Sequence, residues 1–416
     1  MSFPLNRELV PGWQLKAPDI GLPAAVGVGE FFAGSGNTAF FITDQGCEKK
    51  CANPVGWLYG IDMNTGRPVF PPISLPGYDS GAGHCYRNGP TAAICTTTDD
   101  GLDPGGRPPP GLWVVDLQRG ALTFTGPNTL NPTLAQNAPA LRVAGSYVVL
   151  ALHDQGVFGI GPQGQRTWSV AGSGVLQALG TPAAADLPAQ PLIVQAPRFP
   201  PRSPTADQRY QVISVVDGRD LTPNAPSGTK LEEAVVYNGG FAYQFDAGTV
   251  TGTLIYDSDG RLVGRQEPAR SFPQQNAGML TLRVGAKFQI YTDDGKLLIE
   301  IPAQDFGGQF QTIGTKLFVR APEGAGGDES WQWWDLLTRQ PGPTCRMQLG
   351  AEYVGSDGTI VISRRTLEGY AAIDTSSCRT LWQLPAAKRI DIRKVGTGLV
   401  RIDHEQQTIS SLRAPN

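Results

Sequence analysis

The chain predicts an all-β fold, a single β-propeller of four-stranded antiparallel blades, and three observations carry that prediction. An aromatic-rich strand ending in Asp, a tight turn, and a large apolar residue eight positions after the Asp recur along the sequence. The recurrence comes at roughly 40 to 50 residues, the period that stacked blades produce. Composition agrees: 52 Gly and 35 Pro against 17% charged residues suit many short strands joined by turns, and no long helical period is present.

The clearest copies run from Trp57 through Asp62 to Phe70, from Leu112 through Asp116 to Phe124, and from Tyr370 through Asp374 to Trp382. Looser ones close at Gly161-Pro162-Gln163-Gly164, at Asp257-Ser258-Asp259-Gly260 and at Asp293-Asp294-Gly295. Asp bonds backbone N–H groups two residues on and Gly supplies positive φ, so each stretch reads as a hairpin turn and its Asp as structural. The apolar residue after the turn is expected on the outer strand, packed against the next blade.

Strand text then follows in order. The first unit has Val26–Phe32, Ala39–Thr43, Trp57–Asp62 and Pro68–Pro72; the second has Ala92–Thr96, Leu112–Leu117 and Ala121–Thr125. The third has Ala140–Ala144, Tyr147–Leu152, Val157–Ile160 and Arg166–Val170. Later units centre on Leu192–Gln195 with Gln211–Val216, Ala234–Tyr237 with Ala242–Phe245, Leu317–Arg320 with Trp331–Leu336, and Thr359–Ser363 with Tyr370–Asp374. Ile390–Val395, Leu399–Asp403 and Thr408–Leu412 make three strands of a last blade near 389–413. Trp13-Gln14-Leu15, similar to Trp382-Gln383-Leu384, is expected to add the fourth from near 12–16, which removes an exposed edge. The count favours eight blades, with seven as the alternative, in one domain spanning 1–416. Thr98–Gly111, Pro197–Arg209 and Pro322–Ser330 read as long loops.

A second repeat is Gln136-Asn137-Ala138 leading into Leu141-Arg142-Val143, matched by Gln275-Asn276-Ala277 leading into Leu282-Arg283-Val284. The two are expected at equivalent places, opening innermost strands, with their polar residues at the mouth of a central channel. There Gln136, Asn137, Gln275 and Asn276 are candidates to fix ligand hydroxyls, or alternatively cap turns. Trp331, Trp333 and Trp334 are candidates to stack a sugar ring; alternation puts Trp331 and Trp333 on one face and Trp334 on the other, so at least one is expected to pack in the core. Arg364 and Arg365 are candidates for an anionic or hydroxyl-rich ligand, or a solvated loop.

Six cysteines fall as close sequential pairs, Cys47 with Cys51, Cys85 with Cys95 and Cys345 with Cys378, and are expected to form disulfides in an extracytoplasmic compartment. Zinc fits poorly: the close ligand pairs are absent and His84, His153 and His404 are scattered. Asp99-Asp100 with Asp103 lacks the spacing of a calcium loop, so no metal site is expected. The sequence shows neither an export signal nor a run of 18 apolar residues, so an export signal or membrane anchor is expected to lie outside it. A net charge of −3 with no basic run argues against nucleic acid as partner. No nucleophile sits in a Gly-x-Ser-x-Gly context.

The Ala371-Ala372-Ile373-Asp374 to Trp382 and Tyr59-Gly60-Ile61-Asp62 to Gly66 segments resemble the repeat of the PQQ-type, quinoprotein-like propellers. That group contains dehydrogenases and non-catalytic envelope scaffolds of the BamB type. The quinoprotein dehydrogenases carry adjacent cysteines over the cofactor, and this chain has none, so no cofactor is expected. The Gly-, Pro- and Ala-rich, disulfide-bearing texture is also similar to periplasmic domains of the PgfA type, mycobacterial factors associated with trehalose monomycolate trafficking beside an RND-type exporter. The resemblance implies a monomeric, non-catalytic envelope propeller that binds a glycolipid or carbohydrate, a membrane transporter or another envelope protein. The alternatives are a BamB-type scaffold and an extracytoplasmic enzyme acting on carbohydrate or alcohol at the channel mouth.

Overall fold

The computed structural model describes residues 1–45, 54–81, 83–97, 111–130, 140–177, 191–197, 209–271, 278–305, 307, 309–321, 330–347, 349, 353–365, 369–384 and 389–415. Among them the chain forms nine antiparallel sheets, eight four-stranded and one three-stranded. Sheet 1 is Glu30–Ser35, Thr38–Asp44, Val55–Asp62 and Ile73–Pro76; sheet 2 is Gly83–Asn88, Ala92–Thr97, Gly111–Asp116 and Ala121–Pro127. Sheet 3 is Ala140–Ala144, Tyr147–Leu152, Gly156–Ile160 and Arg166–Val170; sheet 4 is Val175–Leu176, Leu192–Ala196 and Gln211–Ser214. Sheet 5 is Lys230–Tyr237, Gly240–Asp246, Thr251–Asp257 and Leu262–Gln266; sheet 6 is Arg270–Ser271, Leu280–Val284, Lys287–Tyr291 and Leu297–Pro302. Sheet 7 is Phe310–Ile313, Lys316–Arg320, Ser330–Asp335 and Pro341–Arg346; sheet 8 is Tyr353–Ser356, Ile360–Arg365, Gly369–Asp374 and Thr380–Leu384. In sheet 9, Ile390–Val395, Gly398–Asp403 and Thr408–Arg413 are joined by the N-terminal strand Val10–Leu15, with Gln14 opposite Ser410.

The chain divides into two compact units: Met1–Leu150, Phe158–Trp168 and Ala386–Asn416 in one, Ala151–Val157 and Ser169–Pro385 in the other. Sheets 1, 2 and 9 lie wholly in the first unit and sheets 4 to 8 wholly in the second.

Nine sheets correct the expectation of eight or seven. The uncounted one is sheet 6, whose first strand has only two residues and whose fourth, Leu-Leu-Ile-Glu-Ile-Pro, has no aromatic. Its turn also lacks the Asp cap: Thr292 Oγ1 accepts the Lys296 N–H instead. The two Leu-Arg-Val segments are not equivalent either. Ala140–Ala144 opens sheet 3, whereas Leu280–Val284 is the second strand of sheet 6, behind Arg270–Ser271. In sheet 1 the expected Val26–Phe32 and Pro68–Pro72 shift to Glu30–Ser35 and Ile73–Pro76. The three predicted long loops fall almost entirely outside the described residues.

The Asp residues do the turn work expected of them. Asp62 Oδ1 accepts the Asn64 and Thr65 N–H groups, both at 2.9 Å. Asp116, Asp335, Asp374 and Asp403 repeat the pattern. In sheets 2, 5, 6, 7 and 8 a bulge then inserts one residue into the fourth strand, re-aiming the side chains that follow it.

Within each unit, cores form between neighbouring sheets. Phe70 and Leu75 of sheet 1 pack with Cys85, Trp113 and Val115 of sheet 2. Phe70 lies over Gly120, in the next sheet's turn at φ 62°, where an added Cβ would stand 2.3 Å from the Phe70 Cβ. Trp13 of sheet 9 covers Gly66 of sheet 1 in the same way. Only glycine fits beneath the ring at this left-handed position, which locks Trp13 onto the turn of sheet 1 and Phe70 onto the turn of sheet 2. In the second unit Leu231, Phe241 and Tyr243 of sheet 5 pack with Leu192 and Val212 of sheet 4.

Candidate binding surfaces

Gln136, Asn137, Gln275 and Asn276 lie outside the described residues, as do Cys47, Cys51, Asp99, Asp100 and Asp103. Trp331 is 1% exposed and packs with Ile313, Phe318 and Val361 between sheets 7 and 8, so its ring has no free face for a sugar. Trp333 points to the same side, over Gly342, with the Lys316 ammonium 4.3 Å from its ring centre. Trp334 joins the core between sheets 6 and 7. Alternation holds along the strand, but both faces of sheet 7 are covered, one by sheet 6 and the other by sheet 8. Lys316 Nζ also donates to Ser376 Oγ at 2.6 Å, and burial pushes its pKa down. Arg364 is exposed on the second strand of sheet 8 with Arg365 next to it, opposite Tyr370 and Gly369.

Two disulfides are present among the described residues. Cys85 and Cys95 bridge directly opposed residues of sheet 2, and Cys345 of sheet 7 bridges Cys378 of sheet 8. Both Cys95 and Cys345 are fully buried.

A polar cluster in the second unit was not singled out from sequence. The first strand of sheet 5 carries one extra residue between Leu231 and Ala234, so Glu232 and Glu233 together oppose Gln244. Gln244 Nε2 donates to Glu232 Oε2 at 3.2 Å, while Gln177 Nε2, beside sheet 4, donates to Glu233 Oε1 at 3.4 Å. Burial, and then the charge of Glu232, push the Glu233 carboxyl up. Burial and then Glu233 push the Tyr210 phenol up. The adjacent Glu pair in a strand otherwise apolar was the available signal: a bulge is the means by which successive side chains escape strict alternation. The cluster offers carboxylate and amide oxygens as hydrogen-bond acceptors, suited to recognising amides, hydroxyls or cations.

The first unit has a cleft of about 430 Å³ where the N-terminal segment meets sheets 9 and 1, lined among others by Trp13, Asn37, Asn64, Thr397, Ser411 and Arg413. The Trp13 indole N–H is held by the Met63 carbonyl at 2.9 Å. His153 Nδ1 contacts Asp154 Oδ2 at 2.8 Å, but these are neighbours in one turn. Among the described residues no three His, Cys, Asp or Glu side chains could share a metal ion. No described helix is long and apolar enough to cross a membrane.

The model of the conjugation-associated 9-bladed β-propeller domain matches residues 1–415. The chain belongs to this family. Its nine sheets are therefore the nine blades of the family's description, and the quinoprotein-like resemblance holds at the level of a propeller. An uncharacterized protein of Mycolicibacterium smegmatis is 28% identical over 440 residues, covering all of this chain and 87% of that protein. Among solved structures, BamB from Moraxella catarrhalis matches 98% of this chain and 100% of its own at 9% identity and a TM-score of 0.44. A europium-containing methanol dehydrogenase matches 94% and 84% at 11% identity and a TM-score of 0.37.

Proposed function

We infer that the chain is a non-catalytic interaction module of a conjugative DNA-transfer apparatus, working on the extracytoplasmic side of the cell envelope and holding another envelope protein. The observation that carries this reading is membership, over residues 1–415, of a family described as conjugation-associated. The two buried disulfides support an oxidising compartment. The Glu232–Glu233 bulge, with Gln177 and Tyr210, supplies a polar contact surface.

The test is transfer frequency between mating cells. Deleting the gene in its host should lower transfer at least tenfold, restored by the wild-type chain. The Glu232→Gln/Glu233→Gln chain should restore less at equal protein level. Unchanged transfer on deletion overturns the reading. A glycolipid of the trehalose monomycolate kind retained in native mass spectrometry, with transfer unchanged, would put lipid trafficking in its place.

A further inference from the structure

Between residues 230 and 302 the chain has seven Lys and Arg residues, all on sheets 5 and 6 or their turns. Five are ion-paired: Lys230 with Glu232, Arg261 with Asp259, Arg265 with Glu267, Lys287 with Glu300 and Lys296 with Asp294. The other two, Arg270 and Arg283, have no ion pair among the described residues and are each other's Cα partners across the first two strands of sheet 6. Like charges at directly opposed ladder positions repel. In a region that neutralises every other cation, this pair is the exception.

The two arginines also share a concavity. With Thr251, Pro268, Ala269 and Gly285 they line a cavity of about 290 Å³ whose wall holds no carboxylate among the described residues. Arg283 Nε reaches the Gly285 carbonyl at 3.4 Å, which fixes the base of the guanidinium and leaves its terminal nitrogens for a ligand. The nearby Glu267 carboxylate is taken up by Arg265.

We propose that this cavity binds a phosphate-class oxyanion, a phosphomonoester whose dianion bridges the Arg270 and Arg283 guanidinium groups. Planar guanidinium forks match phosphate oxygens bidentately, and a dianion cancels the repulsion between the two cations. The Thr251 hydroxyl adds a donor. Two arginines in so small a cavity hold one oxyanion; they do not track a nucleic-acid backbone, which needs several spaced cations.

Inorganic phosphate is the first probe, titrated at constant ionic strength and followed by 31P line broadening and calorimetry. The wild-type chain should saturate, while Arg270→Gln and Arg283→Gln each weaken binding at least tenfold and Arg261→Gln leaves it unchanged. Arg270→Lys, on an exposed side chain, guards against misfolding and should bind several-fold more weakly with an unaltered melting curve. Cosedimentation with phosphatidate vesicles, set against neutral vesicles, distinguishes a lipid headgroup from a soluble phosphomonoester. Non-saturable phosphate binding, or equal binding by the wild type and both Gln variants, overturns the proposal.

Discussion

The two described disulfides secure different kinds of joint. Cys85 and Cys95 sit opposite one another within sheet 2, Cα atoms 4.0 Å apart, where backbone hydrogen bonds already hold the strands. Cys345 and Cys378 join the fourth strand of sheet 7 to the turn of sheet 8, two sheets that otherwise meet through side chains. Cys378 has φ 60° and its N–H bonds the Asp374 carbonyl, as the Gly66 N–H bonds that of Asp62. It occupies the left-handed slot that in sheets 1 and 2 is a glycine under an aromatic ring of the preceding sheet. A non-glycine there costs about 1 kcal/mol or more. The protein thus makes one inter-sheet joint in two ways: a ring over a glycine in the first unit, a covalent bond from a strained cysteine in the second.

The largest expected effect separates the two bridges. Closing 33 residues restricts the unfolded chain by about 3.7 kcal/mol and closing 10 by about 2.7 kcal/mol on a loop-entropy estimate. Cys345→Ala/Cys378→Ala should therefore destabilise more than Cys85→Ala/Cys95→Ala in denaturant unfolding without reductant. Equal losses would break the distinction between a bridge along a ladder and one between sheets.

The next effect tests the ring-over-glycine joint. Phe70→Ala should cost about 3 kcal/mol, since it empties a core position between sheets 1 and 2. Gly120→Ala should cost about 2 kcal/mol, because its methyl meets Phe70 and φ 62° disfavours any side chain. Alanine at position 70 keeps the Cβ that the methyl would meet at 2.3 Å, so only glycine there relieves the contact, and Phe70→Gly/Gly120→Ala should lose less than the sum of its two single variants. Strict additivity in the double-mutant cycle would show that the ring and the glycine are not coupled.

How far this was legible depends on what each signal is made of. Strands such as Tyr147–Leu152, Arg166–Val170 and Ile390–Val395 match the sequence reading to the residue because alternation and flanking turn residues are local. The same locality places the Asp turns and two of the cysteine pairs. Sheet 6 escaped because Arg270–Ser271 is too short to show a pattern, and its turn uses Thr292 in place of Asp. Trp331 was taken for a ligand platform because alternation says which face a residue is on, not whether that face is covered; here sheet 8 covers it. Arg270 and Arg283 were invisible as a pair, since their opposition depends on register across residues 272–277.

The smallest effect concerns the turn that carries the bridge. The Ser377 and Ser376 backbone N–H groups hold the Asp374 carboxyl below the ordinary carboxylate range, outweighing burial, which raises it. A folded pKa below the unfolded value means that the carboxylate stabilises the fold above the unfolded pKa, near 4, and loses that contribution as pH falls through the folded one. Asp374 is largely hydrated, so the effect should stay below about 1 kcal/mol. Asp374→Asn should lower the melting temperature slightly at pH 7, and the gap to the wild type should close on acidification below pH 4. The same substitution in the Cys345→Ala/Cys378→Ala background should cost more, because the turn then holds its left-handed residue without the bond to sheet 7. If it costs no more there, the bridge and the Asp cap act independently, and the strained cysteine is held by the backbone bond to Asp374 alone.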